Sequence, residues 1–252
     1  MPESAKGVAL DYNKSLVETP PTATGELLQM VADGTTLNLF LGAYHMFGFT
    51  GSYGGRLIDS DGVCIADQGG WAEAMQYILD LKAAGAVVEP DYGKAEGPFR
   101  QGQVAMFVNG PWALADYKKD LGENLGVVPI PAGPNGPANP LNGIDGFYIN
   151  PNSENILSAV ELALFLTNKE SSQVYTDSAG HVPIRSDVAA ADPLVAAFAE
   201  ASATGFPRPQ SVEFAGFWGP FGDAWTKVTE GALSPEEGVT EACTAMNTAN
   251  GK

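Results

Sequence analysis

Phe99-Arg100-Gln101-Gly102-Gln103-Val104-Ala105-Met106-Phe107-Val108-Asn109-Gly110-Pro111-Trp112 is the stretch on which the fold turns. Its centre, Val104 to Val108, is a continuous apolar run, consistent with a short strand buried on both faces. The run breaks at Asn109-Gly110-Pro111. Trp112 to Lys119 then reads as a helix, with Pro111 near the first turn, where a missing N–H is tolerated. Strand, tight turn and helix in succession put the turn at the end of a sheet, which in open α/β sheets is where ligands bind.

Upstream, Thr24 to Ala32 reads as a helix stopped by Gly34, and Leu37 to Leu41 as a strand. Gly42 to Phe49 alternates glycine and aromatic residues with neither a helical nor a strand period. It reads equally as a cleft-lining segment or as a surface loop whose aromatics turn back into the core. Trp71 to Ala84 is amphipathic, with Trp71, Met75, Ile78 and Leu79 at helical spacing and Gly85 as its C-terminal stop, so Trp71 is expected in the core.

Downstream, Gly126 to Pro131 reads as a strand, Pro131 to Pro140 as a turn-rich loop, and Gly143 to Asn150 as a further strand. Asn155 to Asn168 is a helix so apolar that it needs cover on more than one side. Asp192-Pro193 opens a helix with an N-cap and a proline at N1. Phe217 to Glu230 is helical, and Ser234-Pro235-Glu236-Glu237 is a capping box that starts the last helix, whose face is Val239, Ala242, Cys243 and Met246. No internal repeat is present. Short strands alternating with helices indicate an α/β class, a sheet flanked by helices.

The 252 residues are enough to bury a core without disulfides or metals. With 30 acids against 13 bases the net charge is −17, which repels phosphate backbones and anionic lipid heads and argues against nucleic acid or membrane-surface partners. Cys64 and Cys243 fit either one bridge or two free thiols. His45 and His181 form no cluster with metal-ligand spacing, so neither a metal nor a cofactor is expected. The opening Met1 to Lys6 lacks the apolar core of a signal peptide, and no apolar run spans a bilayer.

No Gly-x-Ser-x-Gly elbow, Walker loop or dinucleotide fingerprint occurs, and carboxylate pairs such as Asp59/Asp61 have structural uses, so no catalytic constellation is expected. What stands out is aromatic residues at breaks between elements: Tyr44, Phe47, Trp112, Phe217 and Trp218. Such rings can stack on the C–H faces of sugars, while Trp and Tyr also reach a polar rim; the same rings also make ordinary core.

The segment Phe99 to Trp112 resembles the family 1 extracellular solute-binding proteins of ABC sugar importers, the maltose-binding-protein-like group, which carry F-x-x-G-x-x-A-M-x-x-x-G-x-W there. The resemblance continues through Gly126-Val127-Val128-Pro129-Ile130-Pro131, Gly143 to Asn150, the apolar helix with Phe165-Leu166, Gly180-His181-Val182-Pro183-Ile184-Arg185 and Phe217-Trp218, in matching order. It implies a two-lobed α/β fold of the periplasmic-binding-protein type II, with a sugar clamped between lobes, hinge closure, docking to ABC permease subunits and an extracytoplasmic location. It maps Tyr44, Trp112 and Trp218 onto ligand-stacking aromatics, His45 and Phe47 onto neighbouring cleft positions, and Asp145 onto a hinge-crossing strand that reaches the ligand; Phe217, beside Trp218 in the matched pair, is a further candidate contact.

Two departures count against maltose itself: Leu41, Gly42 and Ala43 stand where the family has a glutamate, and Gly222 replaces the arginine one turn after the late tryptophan. Family members carry further residues before the point at which this chain opens. The resemblance therefore implies one complete lobe from residues 1–142 and 186–252, with 143–185 belonging to the other. The helix Asn155 to Asn168 is then expected to lack its partner sheet, and oligomerisation or a complementing N-terminal lobe is expected to cover it.

Overall fold

Met106–Asn109, the heart of the opening stretch, is the central strand of a five-stranded sheet in the computed structural model, which describes all 252 residues. The strands are β1 (Pro2–Lys6), β2 (Ala9–Asn13), β3 (Leu37–Phe40), β4 (Val87–Glu89), β5 (Met106–Asn109), β6 (Leu125–Val128), β7 (Leu141–Gly146), β8 (Val182–Pro183) and β9 (Phe206–Pro207). The helices are α1 (Thr24–Ala32), α2 (Ala43–Ser52), α3 (Trp71–Ala84), α4 (Tyr92–Arg100), α5 (Leu114–Leu121), α6 (Ile156–Leu166), α7 (Lys169–Ala179), α8 (Pro193–Ser202), α9 (Trp218–Thr229) and α10 (Pro235–Ala249).

The larger sheet has the order β4-β3-β5-β2-β6, with β3 parallel to β4 and β5, and β2 antiparallel to β5 and β6. Burial of both faces explains the unbroken apolar run: Met106 and Val108 enter one core with Trp71, Phe217 and Trp225, while Phe107 enters a second with Phe99, Tyr117 and Phe198. The smaller sheet has the order β8-β1-β7-β9. The fold is thus the mixed α/β class read from the sequence. The 142/143 boundary falls inside the continuous strand β7, and β1 pairs with both β7 and β8.

Residues 42–49, aperiodic in sequence, are helical. Helix α2 is buried almost all round, so no polar face imposes a period. Gly48 and Gly51 let the 130–140 loop approach: a Cβ on Gly48 would stand 2.7 Å from Ile130 Cδ1, and one on Gly51 would overlap Asn139. Helix α4 carries a weak sequence signal because it contains Gly93, Gly97 and Pro98. The strand expected over 143–150 instead spans Leu141–Gly146, and Trp112 sits in a 3-10 turn before α5.

The capping signals hold. Glu237 N donates to Ser234 Oγ at 3.2 Å, Ser234 N donates to Glu237 Oε2 at 2.8 Å, and Leu194 N donates to Asp192 Oδ1 at 2.9 Å. Cys64 and Cys243 are bridged, tying the turn after α2 to α10 with 5.3 Å between Cα atoms. On α6 only Ala163 is buried; Leu157 is 81% exposed and Phe165 63%. No helix is long and apolar enough to cross a membrane.

Candidate functional site

The carboxyl ends of the parallel strands β3 and β5 lead directly into α2 and the Pro111 turn, which deliver Tyr44 and Trp112 to the same place. Trp218, the first residue of α9, arrives from the far side. The Tyr44 and Trp112 ring centroids are 5.9 Å apart; Tyr44 and Trp218 are 6.3 Å apart and 23° from parallel. The three rings form a shelf, of which Trp112 is 41% exposed. Its position depends on Gly110, since a Cβ there would overlap the Trp112 ring.

Tyr44 is fixed to the smaller sheet. Its hydroxyl donates to Lys6 O at 2.7 Å and accepts from Gly143 N at 3.2 Å. Burial pushes this phenol up to about 12, against the lowering effect of the Gly143 bond and the nearby Arg208 charge. With its hydroxyl occupied, Tyr44 presents mainly its ring.

His45 supports the shelf from beneath, edge-on to Phe40 at 4.9 Å and to Trp112 at 5.8 Å. Burial drives its pKa down to about 4, so the ring is neutral at pH 7. The tautomer follows from its neighbours. Tyr92 and Tyr117 hydroxyls both donate to Glu96 Oε1, at 2.8 and 3.0 Å, so both accept from Asn109 Nδ2. Asn109 Oδ1 is then left to accept from His45 Nε2–H at 3.2 Å. The floor of the site is therefore a connected hydrogen-bond chain from Glu96 to His45.

Of the residues singled out in sequence, Tyr44, Trp112 and Trp218 come together, with His45 buried just behind. Asp145 is exposed at the sheet end and pairs with Lys6. Phe47 and Phe217 go elsewhere: they are 4% and 0% exposed and pack with Trp71, Phe206 and Phe221 in the main core. They follow the other reading of those rings: Phe47 faces inward from the middle of α2 and Phe217 from the N-cap of α9. Sequence reasoning missed Asn109, Tyr92, Lys6 and Arg208. Arg208 had a signal, a lone arginine in the Gly205-Phe206-Pro207-Arg208-Pro209 break. Its guanidinium lies 5.5 Å from the centre of the Trp218 ring.

A mixed α/β body with an aromatic shelf at the strand ends has the form of a solute-binding fold. The chain belongs to the bacterial extracellular solute-binding proteins, whose family model matches residues 1–203. It is 27% identical over 269 residues to the galactooligosaccharide-binding protein of Bacillus subtilis (strain 168), covering 96% of this chain and 63% of the relative. It is 25% identical over 241 residues to the maltotriose-binding protein of Pyrococcus abyssi, covering 87% of this chain and 52% of the relative. The chain thus spans between about half and two thirds of the length of these relatives. A solved structure, the Thermus thermophilus maltotriose binding protein bound with maltotriose, superposes with a TM-score of 0.83 at 30% identity, over 99% of this chain and 72% of that one.

Proposed function

We propose that this chain supplies one wall of a cleft that captures an oligosaccharide, as the solute-binding component of an ABC importer outside the cytoplasm. The observation that carries the reading is the convergence of Tyr44, Trp112 and Trp218 on one open shelf. Sugar rings present C–H faces to such rings, and a shelf of several aromatic faces suits a ligand of more than one sugar unit. Relatives named for galactooligosaccharide and maltotriose agree with that class. The Cys64–Cys243 bridge suits an oxidising compartment.

In this reading residues 1–142 and 186–252 form one lobe and 143–185 belong to a second, with β1 and β7 as the connection between them. The test is tryptophan fluorescence during titration with maltotriose and galactooligosaccharides up to tens of millimolar, a range set by weak binding to a single wall. A saturable change that disappears in Trp112→Ala and Trp218→Ala supports the reading; a flat titration in folded protein sinks it.

The exposed apolar face of α6 favours a second reading, in which the chain acts as an associating scaffold with little sugar affinity. Leu157 and Phe165 are then covered by a second copy or by a complementing lobe. Sedimentation across a concentration series decides this: a monomer at every concentration, unchanged by Leu157→Lys, rules out self-association.

A further inference from the structure

Arg208 is the one charged side chain that lies over a ring of the shelf, at 5.5 Å from the Trp218 centroid. In a chain of net charge −17 it engages no carboxylate, whereas Arg100 and Arg185 are each held by aspartates. Its backbone is fixed. Arg208 N donates to Asn142 O at 3.0 Å, extending the parallel pairing of Leu141 with Phe206 and Asn142 with Pro207 by one step. Prolines on both sides limit its backbone further.

The register sets where the side chain goes. Residues opposite one another across a ladder share a face, and residues two apart on a strand share it too. Lys6 opposes Gly143, and the extended pairing brings Arg208 opposite Gly143 from the other side. Gly143 leaves its place on that face empty of side chain, and Tyr44 fills it, its hydroxyl 3.2 Å from where a Cβ would stand. Lys6, Asp145 and Arg208 therefore ring the Tyr44 hydroxyl. Lys6 and Asp145 neutralise each other, which leaves the donors of Arg208 free.

We propose that Arg208 is a ligand-contacting, specificity-determining residue: its guanidinium fork, seated over Trp218, donates two hydrogen bonds to adjacent hydroxyls of the sugar unit that lies against the shelf beside it. The proposal rests on the oligosaccharide reading above and narrows it to sugars with a free vicinal pair at that unit. Planar, bidentate donation suits arginine and not lysine. Flanking prolines and the Trp218 face hold the fork in place before the ligand arrives, which lowers the ordering cost of binding.

The experiment is calorimetric titration of the wild type, Arg208→Ala and Arg208→Lys with maltotriose and a set of monodeoxy maltotrioses. Arg208→Ala is expected to weaken maltotriose binding about tenfold, since a bond from a charged donor exceeds a neutral one. Arg208→Lys recovers only part of the loss, with unchanged melting temperatures. The Ala penalty is expected to shrink for the one or two analogues that lack the hydroxyls read by the fork. Equal affinities of wild type and Arg208→Ala overturn the proposal while leaving sugar capture intact. A penalty identical for every analogue overturns it too, by showing that Arg208 only positions Trp218. No binding by the wild type defeats the proposal and the sugar reading together.

Discussion

The Tyr44 hydroxyl accepts a hydrogen bond from the Gly143 amide at 3.2 Å and thereby ties helix α2 of the larger body to strand β7 of the smaller sheet. Gly143 has no side chain to keep the phenol away, and the phenol donates a hydrogen bond to Lys6 O at 2.7 Å. One ring therefore serves both as shelf and as clasp between the two sheets. Tyr44→Phe keeps the ring and leaves Lys6 O and Gly143 N without this partner. A stability loss of about 1–2 kcal/mol is expected in urea unfolding, with a smaller effect on sugar affinity than Tyr44→Ala.

Gly110→Ala tests whether Trp112 must lie where it does. The backbone at 110 is extended and accepts alanine, so the effect comes from the methyl group striking the indole. Sugar affinity is expected to fall as far as in Trp112→Ala, while the melting temperature moves little, because Trp112 is largely outside the core. Retained affinity would show that the shelf tolerates another Trp112 rotamer.

Acid should weaken the fold through His45. Its folded pKa of about 4 lies below the ordinary 6.5, so between these values the unfolded chain binds a proton that the folded chain refuses. Stability is then full above pH 6.5 and is lost as pH falls toward 4, by up to about 3 kcal/mol from this group. His45→Gln removes this contribution, so the variant's urea midpoint should fall less steeply than the wild type's over that window. Parallel slopes would contradict the assignment.

Asp11 gives the opposite slope. It is fully buried on β2, neither carboxylate oxygen has a protein partner, and burial together with the nearby Glu96 charge raises its pKa well above 3.8. The folded state then holds a proton that the unfolded chain has released, which costs stability increasingly as pH rises above 3.8. Asp11→Asn is expected to raise the melting temperature at pH 7, with the gain shrinking toward pH 4. A destabilised variant at pH 7 would mean that the carboxyl has a partner that the amide cannot replace.

Removing the bridge with Cys64→Ser/Cys243→Ser is expected to cost about 2–5 kcal/mol, because the crosslink closes a long loop of the unfolded chain. The residues joined are 179 apart in sequence. Thermal unfolding with and without reductant checks this, and an unchanged midpoint would show that α10 packing alone holds the C-terminal helices.

Much of this was legible along the chain. Local signals marked α8 and α10 through Asp192 and Ser234, the doubly buried strand β5 through its unbroken apolar run, and α3 through its period with Trp71 inside. These features depend on neighbours a few residues away, which is what periodicity and capping record.

Helix α2 escaped because burial on every side erases the period, and α4 because Gly93, Gly97 and Pro98 disguise it. Whether an aromatic at a break faced a ligand or the core could not be read locally. Trp112 is held out over Gly110, Phe47 and Phe217 turn inward, and Arg208 reaches the shelf only through its pairing with Asn142. The sequence by itself determined the α/β class, the helix ends and the aromatic supply, because those follow from local physics. The tertiary structure alone decided which rings and charges share a surface, because strand register and helix packing join residues as far apart as Lys6, Tyr44, Gly143 and Trp218.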